Sequence, residues 1–142
     1  MRNAERGLWK ALIPNSNSRR DTIGEDLKKR TKQFAVTIIR IVASLPKTMV
    51  AQVIGKQLLR SGTSVGANYR EANRSRSSAE FISKLGIVEQ ELAETEYWLE
   101  LVEASGIKKT EDLTRVNQET QELLAIIVSS IRTARRNVKR TK

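Results

Sequence analysis

Neither cysteine nor histidine occurs in this chain of 142 residues. Without cysteine there is no disulfide and no thiolate metal site, and redox chemistry gives no clue to compartment. Without histidine the commonest general base and the commonest imidazole ligand are missing together, which counts against most enzyme classes. The two prolines and seven glycines are too few for a strand-and-turn fold, and long uninterrupted helices are expected. Aromatic residues are equally scarce, at 4%. No apolar run reaches the roughly 18 residues of a membrane span. Near the N-terminus the longest apolar stretch, Ala11-Leu12-Ile13, stops at Pro14, so no signal peptide is expected. These absences describe a soluble, cytoplasmic, single-domain protein with a real core.

What the chain has in excess is positive charge, and it is unevenly spread. The total is +10. Residues 78–104 hold seven glutamates (Glu80, Glu89, Glu91, Glu94, Glu96, Glu100 and Glu103) against Lys84 alone, a net of −6, which leaves +16 on the remainder. A basic body with one acidic segment suits an anionic partner, or subunits that meet acid to base.

Residues 1–20 fit no packed element. Pro14-Asn15-Ser16-Asn17-Ser18 interrupts the turn formed by Leu8, Trp9, Leu12 and Ile13, and Arg2, Arg6, Lys10, Arg19 and Arg20 make the segment basic. A flexible basic arm is expected, with a partner-docking helix as the alternative. The bundle domain then covers 21–142. A first helix over about 22–45 opens near Asp21 or Thr22 and buries Ile23, Leu27, Phe34, Ile38, Ile41 and Leu45. Pro46 ends it. A second, about 48–73, places Ala51, Ile54, Leu58, Gly62, Val65, Tyr69 and Ala72 on one face at about 100° per residue. Its glycines would cost about 0.8–1 kcal/mol each in an exposed helix, so close approach of another helix is expected at Gly55, Gly62 and Gly66.

Ser77 to Glu80 forms a capping box for a third helix, 78–104. There Phe81, Leu85, Val88, Leu92, Thr95, Leu99 and Val102 alternate steps of four and three, as in a bundle core. Ile87, Trp98 and Leu101 make a second apolar strip, which argues for a further contact such as another subunit. Ser105-Gly106 closes the helix, and Thr110 opens a fourth over about 110–138 with Leu113, Val116, Leu123, Leu124, Ile127, Ile131, Ala134 and Val138 as its stripe. Four helices with short loops read as an all-α, antiparallel up-down four-helix bundle.

Several phrases at fixed separations carry a family resemblance: Leu45-Pro46-Lys47, Gln57-Leu58-Leu59-Arg60-Ser61, Thr63-Ser64-Val65-Gly66-Ala67-Asn68-Tyr69-Arg70-Glu71-Ala72, Arg74-Ser75-Arg76, Glu80 through Ile87, and Glu94-Thr95-Glu96-Tyr97-Trp98-Leu99. From Gly24 to Gly106 the chain resembles the bacterial four-helix bundle proteins, the intervening-sequence proteins of the large (23S) ribosomal RNA. Many relatives have Ile-Ala-Glu-Gly where this chain has Tyr69-Arg70-Glu71-Ala72. The resemblance implies a small up-down bundle, with ring-forming homopentamers among the relatives. A similar group, the accessory variability determinant of diversity-generating retroelements, is a basic pentamer that binds nucleic acid and a reverse transcriptase.

No catalytic constellation emerges. Glu71 with Glu96, or Ser64 with Lys56, could be drawn as reactive pairs, but glutamates on helices are usually ion-pairing surface, and no metal-binding cluster is present. No enzyme activity, cofactor, metal or small-molecule substrate is expected. Arg60, Ser64, Asn68 and Glu71 share a polar face of the second helix, read as a network that fixes assembly, together with Arg74, Glu96 and Trp98. Arg70, Arg74 and Arg76 could pair with a neighbour's acidic helix or face phosphate. For nucleic acid the candidates are Arg132, Arg135, Arg136, Lys139 and Arg140 at the C-terminus, with Lys28, Lys29, Arg30 and Lys32. No base-reading motif accompanies them, so RNA or DNA would be bound without sequence preference and with strong salt dependence. A protein-interaction scaffold is the other function class.

Overall fold

Four helices carry the chain in the computed structural model, which describes residues 17–141. They are α1 (Asn17–Ala43), α2 (Met49–Asn73), α3 (Ser78–Ala104) and α4 (Thr110–Thr141). Among the described residues there is no strand. α1 starts at Asn17, so residues 17–20, expected in the arm, are helical; no proline or glycine between Asn17 and Ile23 stops the helix there. The rest of the expected arm lies outside the described residues. α1 stops at Ala43 rather than Leu45, ahead of Pro46, and α4 continues past Val138 to Thr141 through good helix formers.

The helix ends follow local chemistry. Thr48 accepts from the Ala51 N–H at 3.2 Å and caps α2. Ser77 accepts from the Glu80 N–H at 3.0 Å, while the Glu80 carboxylate accepts from the Arg76 N–H at 2.9 Å. At the end of α3, Gly106 takes φ of 73°, and the N–H groups of Gly106 and Ile107 bond the carbonyls of Glu103 and Val102, each at 3.1 Å. This is a Schellman closure, whose left-handed position suits glycine.

Consecutive helices pack along their lengths, whereas α1 and α4 touch only sparsely. The stripe on α3 is buried as its spacing predicts, from Phe81 to Val102. Leu27, Phe34, Ile38 and Ile41 of α1, Leu45 just beyond its end, and Leu113, Val116, Leu123, Ile127, Ile131 and Ala134 of α4 join it in one core. α2 packs closely because of its glycines. A Cβ on Gly62 would lie 2.8 Å from both γ carbons of Ile38, and one on Gly66 would lie 3.2 Å from the Thr31 hydroxyl. Several buried hydroxyls are satisfied at home or across the seam, whereas that of Ser75 is buried with no partner among the described residues. Thr31 and Thr120 donate to carbonyls four residues back, and Thr95 of α3 meets Ser61 of α2 at 2.9 Å.

Tyr69 is 3% exposed, and burial pushes its hydroxyl from 10.0 up to about 12. A group whose pKa rises on folding contributes stability that is complete below its unfolded value and lost as pH climbs through the folded one. The protein is therefore expected to lose stability between pH 10 and about 12. Thermal melts across that range should show a shallower alkaline decline in Tyr69→Phe than in the unmodified chain. Parallel declines would mean that Tyr69 does not titrate with folding.

Candidate nucleic-acid interface

Along α4, Arg132, Arg135 and Lys139 recur in steps of three and four and so share a face. With Arg136 they line a groove of about 420 Å³ against α3, completed by Val128, Ile131 and Glu89. The four bases are exposed, as is Arg140 beyond them. Like charges three and four residues apart cost a helix a few tenths of a kcal/mol per pair, so this cluster is no stability device. It concentrates positive potential in one half of the α3–α4 seam.

The other half is closed. Asn117 donates to Glu103 at 3.4 Å, and Gln121 donates to Glu96. Two glutamates of the acidic ridge on α3 are thus spent on α4.

The bases of α1 divide. Arg30 makes a two-point contact with Glu119 of α4, at 3.1 and 2.6 Å, and approaches Glu122 at 3.4 Å. That hydrogen bond to Glu119, more than any other contact, holds the guanidinium above its usual pKa. Arg30 ties two helices together. Lys28 pairs with Glu25 at 3.5 Å. Lys29 and Lys32 are exposed. Sequence spacing could not reveal the Arg30 clamp, because its partners lie 89 and 92 residues away.

The polar face of α2 also divides. Arg60 crosses to Glu94 and, at 3.5 Å, to Glu91 of α3, and Glu71 meets Lys84 of α3 at 3.4 Å. Burial pushes the Glu91 carboxyl up, against the pull of Arg60. Ser64 and Asn68 instead bond the α2 backbone, at Arg60 O (2.6 Å) and Ser64 O (2.9 Å). Arg74 is exposed at the end of α2, beside a small cleft that it lines with Glu71, Arg76, Glu80 and Lys84. Trp98 is half-buried against the core and sits edge-on to Tyr97, with ring centres 5.3 Å apart. Its indole N–H is buried with no hydrogen-bond partner among the described residues.

The most exposed large apolar side chains are elsewhere. Met49 (78%), Val50 (60%) and Val53 (56%) open α2, and Tyr97 is 53% exposed. In the sequence the first three are masked, because they directly precede and interleave with the buried stripe that begins at Ala51. A count of their angles on the helical wheel would have set them outside the core sector.

The family model of the 23S rRNA-intervening sequence proteins matches residues 25–129, nearly the whole of the four-helix region. The chain belongs to that family. No curated protein matches it significantly. Among solved structures, a protein of unknown function from the S23 ribosomal protein family of Bacteroides thetaiotaomicron is 38% identical, with a TM-score of 0.72. The match covers 77% of this chain and 97% of that one. This intervening-sequence family member therefore shares its four-helix fold with a relative of unassigned activity, and the basic groove on α4 extends past the family match, which ends at Ser129. Among the described residues, no helix is long and apolar enough to cross a membrane, and no cluster of acids is placed to hold a metal ion.

Proposed function

We propose that this protein is a non-catalytic, cytoplasmic, homo-oligomeric bundle that binds RNA or DNA non-specifically through its basic helix ends, as an accessory to a nucleic-acid-processing partner. The observation that carries the reading is the α4 cluster, Arg132, Arg135, Arg136 and Lys139, exposed on a groove and placed at spacings that cost helix stability. Arg is suited to two-point contact with phosphate.

An antiparallel up-down path completes the proposal. It is supported by contacts whose numbers run in opposite directions, such as Thr31 near Gly66 and Ile38 near Gly62, or Ser61 with Thr95 and Glu71 with Lys84. On that path the start of α1, the end of α2, the start of α3 and the end of α4 share one end of the bundle. Arg70, Arg74 and Arg76 then lie toward the end that holds the α4 cluster, whereas Arg30 is committed to Glu119, about 20 Å along α4 from Arg132, and Lys29 and Lys32 stand at its level. In a ring of subunits, for which the family resemblance favours a pentamer, each basic end is repeated and weak phosphate contacts add by avidity.

Fluorescence titration of generic RNA or DNA tests this reading. Affinity should fall steeply with salt, and replacing Arg132, Arg135, Arg136 and Lys139 together by glutamine should abolish binding while native mass stays that of the oligomer. Unchanged affinity in that variant would sink the proposal, and a monomeric native mass would remove the ring. The second reading, a protein-interaction scaffold without nucleic acid, is favoured by exposed Met49, Val50 and Val53. It predicts no measurable binding to RNA or DNA at any salt.

A further inference from the structure

One glycine is not explained by packing. A Cβ on Gly86 would meet nothing within 4 Å among the described residues, in contrast with Gly62 and Gly66. Gly86 lies inside α3, far from either end, where glycine weakens a helix for no internal return. It stands one turn before Glu89, which lines the basic groove of α4, so Gly86 lies at the rim of that groove and outside its lining. The bare stretch of α3 therefore adjoins the half of the seam where Arg132, Arg135, Arg136 and Lys139 stand, and not the half that Glu96 and Glu103 close with Gln121 and Asn117.

We infer that the open half of the α3–α4 seam is a track for a single-stranded nucleic-acid backbone, and that Gly86 is where sugar and phosphate come against the helix. This rests on the nucleic-acid reading above. Glycine at a contact lets a ligand backbone approach without a side chain in the way. The groove of about 420 Å³ is a furrow between two packed helices, with room for one extended backbone and none for the body of a duplex. The groove runs from Val128 to Lys139, about 16 Å along α4. Four bases less the Glu89 carboxylate leave a net of three positive charges, matched by three phosphates. Val128 offers apolar contact to sugars or bases. The charged lining residues offer contacts to phosphate, which carries no sequence information, so binding tolerates any sequence. The acidic half of the seam bounds the track, because a strand extended past Glu89 toward Glu96 would meet carboxylates.

The test uses the full chain with labelled oligonucleotides of about 12 nucleotides, as single-stranded RNA, single-stranded DNA and blunt duplex. Both single strands should bind about tenfold more tightly than the duplex, with log affinity falling about two units per tenfold rise in salt for each engaged track. Gly86→Leu should lose about tenfold in single-strand affinity, the scale of one or two charge-assisted contacts, with duplex affinity nearly unchanged. Gly86→Ala separates folding from binding: it should melt a few degrees higher, because alanine favours helix and meets no obstacle, yet bind single strands more weakly. If neither single strand nor duplex binds the unmodified protein, the nucleic-acid reading itself fails. If Gly86→Leu binds single strands like the unmodified chain while the four-glutamine variant does not, that reading stands and the track is overturned. Polyglutamate displacing single strands at equal charge concentration, with the same Gly86 dependence, would also overturn it in favour of an acidic peptide.

Discussion

Phe34→Ala is expected to cost the fold about 3–5 kcal/mol, the usual range for removing a buried phenyl ring. Phe34 is 2% exposed and is among the largest fully packed side chains of α1. Its position makes the loss hard to absorb. Between α1 and α4 lies a groove of about 460 Å³, which Phe34 lines with Val116, Arg115 and Glu119, so the ring fills space where the two helices are already separated. The Arg30 clamp spans the same interface, but Arg30 and Glu119 are about a third exposed and Glu122 about half, and pairs open to solvent contribute about 1 kcal/mol at most. Burial of Phe34 therefore outweighs the ion pair in holding α1. Denaturant titration checks this: the midpoint should drop with little change in slope. A loss below about 1 kcal/mol would mean that α1 folds apart from the core.

The second large effect concerns Gly62. Gly62→Ala places a methyl 2.8 Å from both γ carbons and 3.1 Å from the β carbon of Ile38. A β-branched side chain in a helix has one preferred rotamer and cannot swing aside cheaply, so the helices must separate. Overpacking of this kind costs about 1–3 kcal/mol, even after alanine returns its better helix propensity. The diagnosis can be checked through its remedy. Ile38→Ala alone leaves a cavity and costs about 2–5 kcal/mol. In that background the Gly62→Ala methyl fills part of the vacated space, so the double variant should be more stable than the sum of the single losses, by about 0.5–3 kcal/mol of coupling. Additive losses would show that the two residues do not oppose each other across the α1–α2 contact.

Much of this fold was legible because helix periodicity is a local property. α3 could be bounded at Ser78 and Ala104 from a capping box and a glycine closure, and its buried face follows from spacing alone. The glycines of α2 were readable for the same reason, since a residue that weakens a helix needs a compensating neighbour. What stayed hidden depends on distance in sequence. Arg30 looks like a phosphate ligand until Glu119 comes within 2.6 Å. Ser64 and Asn68 share a face with Arg60 and Glu71, yet spend their polar groups on their own helix. Open space at Gly86 is a fact about what is not nearby, and no local pattern encodes it.

The division of the α3–α4 seam has a kinetic consequence. Glu103 sits opposite Asn117, whereas the bases centre on Arg132 to Lys139. Along α4 the two levels are about 20–30 Å apart, more than two Debye lengths at physiological salt. Solvent ions therefore screen them separately, and a polyanion approaching the seam would sense the basic level before any side chain touched it. Encounters would then be biased toward one end of α4 ahead of any contact.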